Sequence, residues 1–230
     1  MSAAAHYDAL VVGGGHHGAI IACYLARAGL KVGVFERKAH FGGGATSDRG
    51  PAPGFLMNYC SHWTRFYGHP AYREWDPSRA PAGKHLVGVE EFAAPRRLFS
   101  SGEWHDIKET FKTKLLEQWR HYAPNMTPDN VIAVNVIGPD NIENMHPDMI
   151  EGGYSEASTM ASQLGRFRPI PELSGYRTIL KNVYTCSSNL HSGSGIGRGS
   201  SLNCFKIIAA DLGLRELTAG QAPVAPAAAE

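Results

Sequence analysis

Glycines at positions 13, 15 and 18 stand directly after the apolar run Ala9-Leu-Val-Val12, and Glu36 closes a second apolar run, Val32-Gly-Val-Phe35. Phosphate groups need backbone N–H donors that no side chain screens, and ribose hydroxyls need a carboxylate acceptor. This spacing supplies both. Gly13 permits a tight turn out of a strand, and Gly15 lacks the Cβ that would hold a pyrophosphate away from the backbone. Gly18 lets a helix pack closely on the strands. The first turn of that helix offers unpaired N–H groups and the positive end of its dipole to the phosphates. Glu36, 21 residues after Gly15, is spaced to accept from the adenosine ribose hydroxyls. His16 and His17 sit where the loop meets the phosphates, where they either touch them or face solvent. Glycines at this spacing also occur in ordinary turns, but here strand, helix and acid accompany them. The pattern predicts a β-α-β unit for an ADP-containing dinucleotide.

The elements that must position these residues follow from periodicity. His6 to Val12 reads as a strand, His17 to Ala28 as the crossover helix closed by Gly29, and Lys31 to Glu36 as the second strand. The predicted fold class is α/β with a Rossmann-like domain. Residues 41–54 form a loop dense in glycine and proline, and residues 54–103 are irregular, with Trp63, Phe66, Tyr67, Tyr72 and Trp75 among them. Asp106 to Tyr122 predicts a helix that begins at Asp106 with Glu109 and is ended by Pro124. Its stripe of Ile107, Phe111, Leu115, Trp119 and Tyr122 reads as core. Alternation over Asn130 to Ile137 suggests a strand, and residues 138–177 read as loop. A short strand over Asn182 to Ser187 leads into glycines at 193, 195, 197 and 199, then a helix over Ser201 to Leu212 that stops at Gly213. The Ala-, Pro- and Gly-rich tail from Thr218 to Glu230 is expected to be disordered.

Composition narrows the partners. The chain has 230 residues, 43% hydrophobic and 19% charged, as in a soluble globular protein. A net charge of +1 gives no basic footprint for nucleic acid. His16 to Leu30 is too short, and too interrupted by Arg27 and Gly29, to span a membrane. No basic segment precedes the apolar amino-terminal run, so it does not read as a signal peptide. The four cysteines, at 23, 60, 186 and 204, include no Cys-x-x-Cys pair, which argues against both a redox dithiol and a zinc knuckle. Cys23 reads as a buried helix residue, and a reducing, cytoplasmic compartment fits. None of the 11 histidines forms a metal-ligand pair with a visible carboxylate neighbour, so no metal is expected. Gly193-Ser-Gly-Ile-Gly197 comes close to a nucleophile elbow only by spacing and lacks the context, so a serine hydrolase is not expected.

The chain carries one dinucleotide unit, which leaves FAD or NAD alone as the choice. Glu36-Arg-Lys-Ala-His-Phe-Gly-Gly-Gly-Ala-Thr-Ser47 decides it, because it resembles the extension found in phytoene-desaturase-like flavoproteins, carotenoid-desaturase relatives within the amine oxidase superfamily. The resemblance implies FAD, with Arg37, Lys38, Gly43, Gly44, Ala45 and Thr46 passing close to it. It returns at Phe167-Arg-Pro-Ile-Pro-Glu-Leu-Ser-Gly-Tyr-Arg177 and at Asn182-Val-Tyr-Thr-Cys-Ser-Ser-Asn-Leu-His-Ser-Gly-Ser-Gly-Ile-Gly197. The family pattern there is a strand, a small-residue turn and His-Pro-Gly-Gly-Gly; Ser192 and Ser194 depart from it. By that resemblance Ser187, Gly193, Gly195 and Ile196 lie against the flavin, and the helix after them directs its dipole there, favouring reduced flavin. Without it, residues 193–199 read equally as a flexible loop. His191 is the candidate to orient substrate or move a proton, with a hydrogen-bonded structural role as the alternative.

The resemblance covers residues 6–62 and about 95–213. Family members are considerably longer, so the substrate domain is expected to be largely missing. The division it implies is an amino-terminal FAD-binding portion at 1–53, an aromatic-rich cover segment at 54–103, a portion completing the FAD domain at 104–217, and the tail at 218–230. The implied function is an FAD-dependent oxidoreductase that moves hydride from a hydrophobic substrate to flavin, its aromatics either lining that site or forming core. Two alternatives stay open: a non-redox flavin-dependent isomerase or lyase, and a flavin-binding subunit that needs a partner or a second copy.

Overall fold

The computed structural model describes residues 6–60, 80–91, 93–154, 158, 160–191, 193 and 199–214. The aromatic residues Trp63, Phe66, Tyr67, Tyr72 and Trp75, the loop residues Gly195 and Ile196, and the tail from Thr218 lie outside the described residues.

Two compact units divide the chain, one of residues 1–45 with 155–230 and one of residues 46–154. The first opens with β1 (Ala9–Val12), α1 (His16–Arg27) and β2 (Val32–Phe35). β1 and β2 pair in parallel, Ala9 with Val32 through Val12 with Phe35, joined by a crossover helix as a β-α-β unit requires. Gly13 continues the ladder by donating to the Phe35 carbonyl at 2.8 Å, then turns away at φ +98°, a conformation that a Cβ would oppose. His17, Ile21 and Leu25 form the buried stripe of α1. That stripe leaves Cys23 on the exposed side, against the expectation that it is buried.

α4 (Gly199–Leu212) closes this unit. Its Cys204, Phe205, Ile208 and Ala209 join Val11, Ile21, Leu25, Tyr176 and Leu190 in one core, and Phe205 stacks on Tyr24 with ring centroids 5.2 Å apart. Asn182 to Ser187 does not form the expected strand. Tyr184 makes a single antiparallel bridge to Arg177, and no described neighbour offers a longer ladder. Strand propensity without a paired edge leaves extended chain.

The second unit contains a two-residue hairpin pair, β3 (Asp48–Arg49) with β4 (Leu56–Met57), and two helices, α2 (Ser101–Tyr122) and α3 (Pro139–Met145). α2 starts more than a turn earlier than predicted. Ser100 caps it, with Glu103 accepting from the Ser100 N–H at 2.8 Å, so the capping box lies at Ser100 and not at Asp106. Trp104, outside the predicted stripe, is the buried residue of α2, its Nε1 donating to the Arg96 carbonyl at 2.9 Å. Ile107, Phe111 and Tyr122 of the stripe are exposed, a departure from the expected core role. Asn130 to Ile137 is irregular and not a strand, and α3 interrupts the stretch read as loop. Among the described residues of this unit, Cys60, Ile142 and Met149 form one buried cluster, and Phe55 and Trp104 are buried beside other parts of it.

Candidate functional site

In the turn after β1, Gly13 is held at φ +98° and a Cβ at Gly14 would stand 2.1 Å from the Phe41 ring. A Cβ at Gly18 would stand 2.0 Å from the Gly13 carbonyl oxygen, so α1 sits on the turn at a distance only glycine allows. The second glycine-rich segment docks beside the first. Gly42 donates to the Gly14 carbonyl at 2.8 Å and forms an isolated parallel bridge with Gly15. Gly43 follows at the start of a single 3₁₀ turn, Gly43–Ala45, where a Cβ on Gly43 would lie 3.0 Å from the Gly15 Cα. Gly44 and Ala45 complete that turn, and Thr46 follows it at the head of the second unit.

Glu36 welds the turn to the end of β2. Its Oε2 accepts from the Gly14 N–H at 2.7 Å and its Oε1 from the Lys38 N–H at 2.8 Å. These backbone bonds, Lys38 foremost and then Gly14, hold its carboxyl below the usual range, so it is ionised at neutral pH. Each carboxylate oxygen can accept a second hydrogen bond. Glu36 can therefore brace the turn and still accept from a ribose hydroxyl. Arg37, exposed, follows it.

Gly15 is the N-cap of α1, with no side chain capping the helix and no acid in its first turn. The first turn of such a helix presents N–H donors that suit an anion. Glycine backbones that a Cβ would crowd, an uncapped helix N-terminus and an ionised acid at the end of β2 are what a dinucleotide requires, and the residues fit it.

His17 is not a solvent-facing loop residue. It lies in the first turn of α1, 7% exposed, with Nδ1 2.9 Å from Ser201 Oγ in the first turn of α4. The N-terminal turns of the two helices are thus held side by side. Burial, assisted by His16, lowers the His17 pKa to about 4, so the imidazole is neutral at pH 7. The His16 ring lies against it, centroids 4.0 Å apart. The Ser201 hydroxyl also donates to the His17 carbonyl, at 3.3 Å.

The turn from Ser187 to Gly193 approaches the same end of α4. Arg168, 1% exposed, donates to the Ser188 carbonyl from Nη2 at 2.9 Å and from Nε at 3.3 Å. Ser187 Oγ accepts from the Asn189 N–H at 3.0 Å. The hydroxyl of Tyr176 donates to the His191 carbonyl, and Asn203 of α4 donates to that hydroxyl at 3.2 Å. His191 is anchored through its backbone while its side chain is exposed. Gly193 has φ +98°. Ser201, Tyr176 and Arg168 carry this arrangement, and no spacing in the sequence marked them. Cys186 Sγ also stands 3.5 Å from Ser201 Oγ, packed against the core that holds Cys204.

Residues 11–75 match the family model of an NAD(P)-binding Rossmann-like domain. The chain is similar to a subunit of limonene dehydrogenase from Castellaniella defragrans, 26% identical over 66% of this chain and 28% of that protein. It is also similar to mouse pyridine nucleotide-disulfide oxidoreductase domain-containing protein 2, 29% identical over 60% of this chain and 23% of that protein. An uncharacterized protein of Mycobacterium tuberculosis is 58% identical over 41 residues, 18% of this chain. The chain spans about a quarter of the length of the first two relatives. No solved structure matches it significantly. No helix among the described residues is long and apolar enough to cross a membrane. The parallel β1–β2 pair, the glycine turn and the family match together make the amino-terminal part of this chain a Rossmann-like dinucleotide-binding domain.

Proposed function

We propose that this chain binds FAD and serves an FAD-dependent oxidoreductase of the phytoene-desaturase-like class, acting on a hydrophobic substrate. The observation that carries this reading is the docking of Gly42 and Gly43 against Gly14 and Gly15. One nucleotide turn suffices for NAD, whereas a second glycine strand laid on the first suits a cofactor that extends past its pyrophosphate. The relatives named as a limonene dehydrogenase subunit and as an oxidoreductase-domain protein support redox chemistry.

In this reading the Gly13–Gly18 turn and the first turn of α1, His16 and His17 included, bind the pyrophosphate. Glu36 orients the ribose, with Arg37 and Lys38 beside it. The stretch Gly43, Gly44, Ala45 and Thr46 excludes water along the cofactor. Ser187, Gly193, Gly195 and Ile196 meet its far end, where the dipole of α4 favours negative charge. His191 stands as a candidate to orient substrate. The bound flavin would supply the hydride acceptor.

Titration of the purified chain with FAD tests this. The expected result is saturable binding with a perturbed visible flavin band, and weaker binding of NAD. Tight NAD binding with none of FAD overturns it. A second reading, that the chain is a flavin-binding subunit completed by another chain, is favoured by one observation. Leu10, Val12 and Phe35 leave one face of the β1–β2 pair exposed, Val12 to 90%.

A further inference from the structure

The crossing of the two glycine segments sets a large apolar side chain, Phe41, on the nucleotide turn. A Cβ on Gly14 would stand 2.1 Å from the Phe41 Cδ1 and 2.8 Å from its Cε1, so the ring rests directly on the Gly14 backbone. The same Cβ would lie 3.2 Å from the Glu36 Cβ, which puts ring and acid beside each other over one residue. The chain is pinned there: Gly42, at φ +126°, donates to the Gly14 carbonyl at 2.8 Å and bridges to Gly15. Yet Phe41 is 61% exposed.

We propose that Phe41 is the platform for the adenine of the bound dinucleotide, its exposed ring stacking on the purine whose ribose Glu36 holds. This rests on the dinucleotide site proposed above, though not on the cofactor being FAD, because NAD and FAD share the ADP moiety.

A single exposed phenylalanine is ordinary on a protein surface. Phe41 differs in where it is fixed. Glu36 and Phe41 meet at Gly14, and Gly43 meets Gly15, where α1 begins. A ribose whose hydroxyls reach Glu36 and whose pyrophosphate reaches Gly15 must lie across Gly14. The base is carried on the carbon next to the 2′-hydroxyl. Anchoring that hydroxyl therefore holds the base near the acid and within reach of the ring. A phenyl ring offers no hydrogen bond, so it selects by area of π face and favours a purine over a pyrimidine. Stacking also withdraws the exposed ring from water. Backbone bonds fix the chain beside Phe41 before a ligand arrives, so little ordering is left to oppose binding.

Isothermal titration of the full chain with ADP and UDP tests this, beside proton NMR of bound ADP. Phe41→Leu keeps an apolar side chain over Gly14 and removes the π face. It should bind ADP roughly tenfold more weakly, lose less for UDP, and melt near the native chain. Phe41→Tyr should keep the ADP affinity. In the native complex the ring current should move the adenine H2 and H8 signals upfield, and Phe41→Leu should lose that shift. Native ADP affinity in a folded Phe41→Leu overturns the proposal. Unshifted adenine protons in the native complex overturn it as well, whether or not the variant folds, and so does a native chain that binds no ADP. ADP carries no flavin, so a chain that binds ADP with these shifts but refuses FAD keeps the platform and loses the proposed function. FAD bound with full affinity by Phe41→Leu does the opposite.

Discussion

Glu36 shows how one side chain can serve folding and binding together. Its oxygens hold the Gly14 and Lys38 N–H groups, and the carboxylate retains the capacity to accept once more. Glu36→Ala should weaken FAD binding roughly tenfold, as loss of a charged hydrogen-bond partner does. Glu36→Gln, which keeps one acceptor, should lose less. Isothermal titration separates the two, and equal affinity in Glu36→Ala would remove this residue from the site. His17 makes a different demand. Its folded pKa of about 4 lies below the unfolded 6.5, so between those values the unfolded chain holds a proton that the folded chain does not. Stability from this group is complete above pH 6.5 and drains away as pH falls toward 4. Unfolding free energies from urea titrations at pH 7 and pH 5 should differ by about 2 kcal/mol more in the native chain than in His17→Gln. The same pH dependence in both would show that His17 does not carry it.

At the scale of elements, the glycines of the turn separate into structural and functional ones. Gly18 is required by packing, since a Cβ would overlap the Gly13 carbonyl. Gly15 is not, because a Cβ there would meet its nearest neighbour, the Gly43 Cα, at an ordinary 3.8 Å. Gly18→Ala should therefore lose about 2 kcal/mol of stability. Gly15→Ala should melt near the native chain yet bind dinucleotide at least about tenfold more weakly, its methyl group standing where phosphate must approach. Thermal melts beside FAD titrations test the pair, and native affinity in Gly15→Ala would place the phosphates elsewhere. The helix ends obey the same local rules. Ser100 with Glu103 satisfies the start of α2 earlier than Asp106 with Glu109 would, and the chain leaves the helix at Ala123 because Pro124 disfavours α geometry before it.

On the scale of the whole molecule, the apolar surface is unequally covered. Val11 packs inward on α1, but alternation turns Leu10 and Val12 to the opposite face, and Phe35 beside Val12 is more than half exposed. Parallel sheets are ordinarily covered on both faces. The chain should therefore associate with a copy of itself or with a second chain. Light scattering of the purified protein should report a mass above that of one chain, and Leu10→Ser with Val12→Ser should lower it while FAD affinity holds. A monodisperse monomer that turns over substrate unaided would refute this.

The β-α-β unit was legible in the sequence because its determinants are local: glycines at fixed offsets, an apolar period, an acid at the end of a strand. The stop of α4 at Gly213 and the exit of α2 before Pro124 were legible for the same reason. What sequence could not order was anything that depends on a distant partner. Asn182 to Ser187 has strand composition, but pairing decides strands, and only a single bridge forms at Tyr184. The stripe of α2 has helical period, but period does not supply a surface to cover it. Tertiary structure alone placed His17 on Ser201, 184 residues away. That contact arises because α1 and α4 share one core and present their N-terminal turns side by side, a proximity that no spacing along the chain encodes.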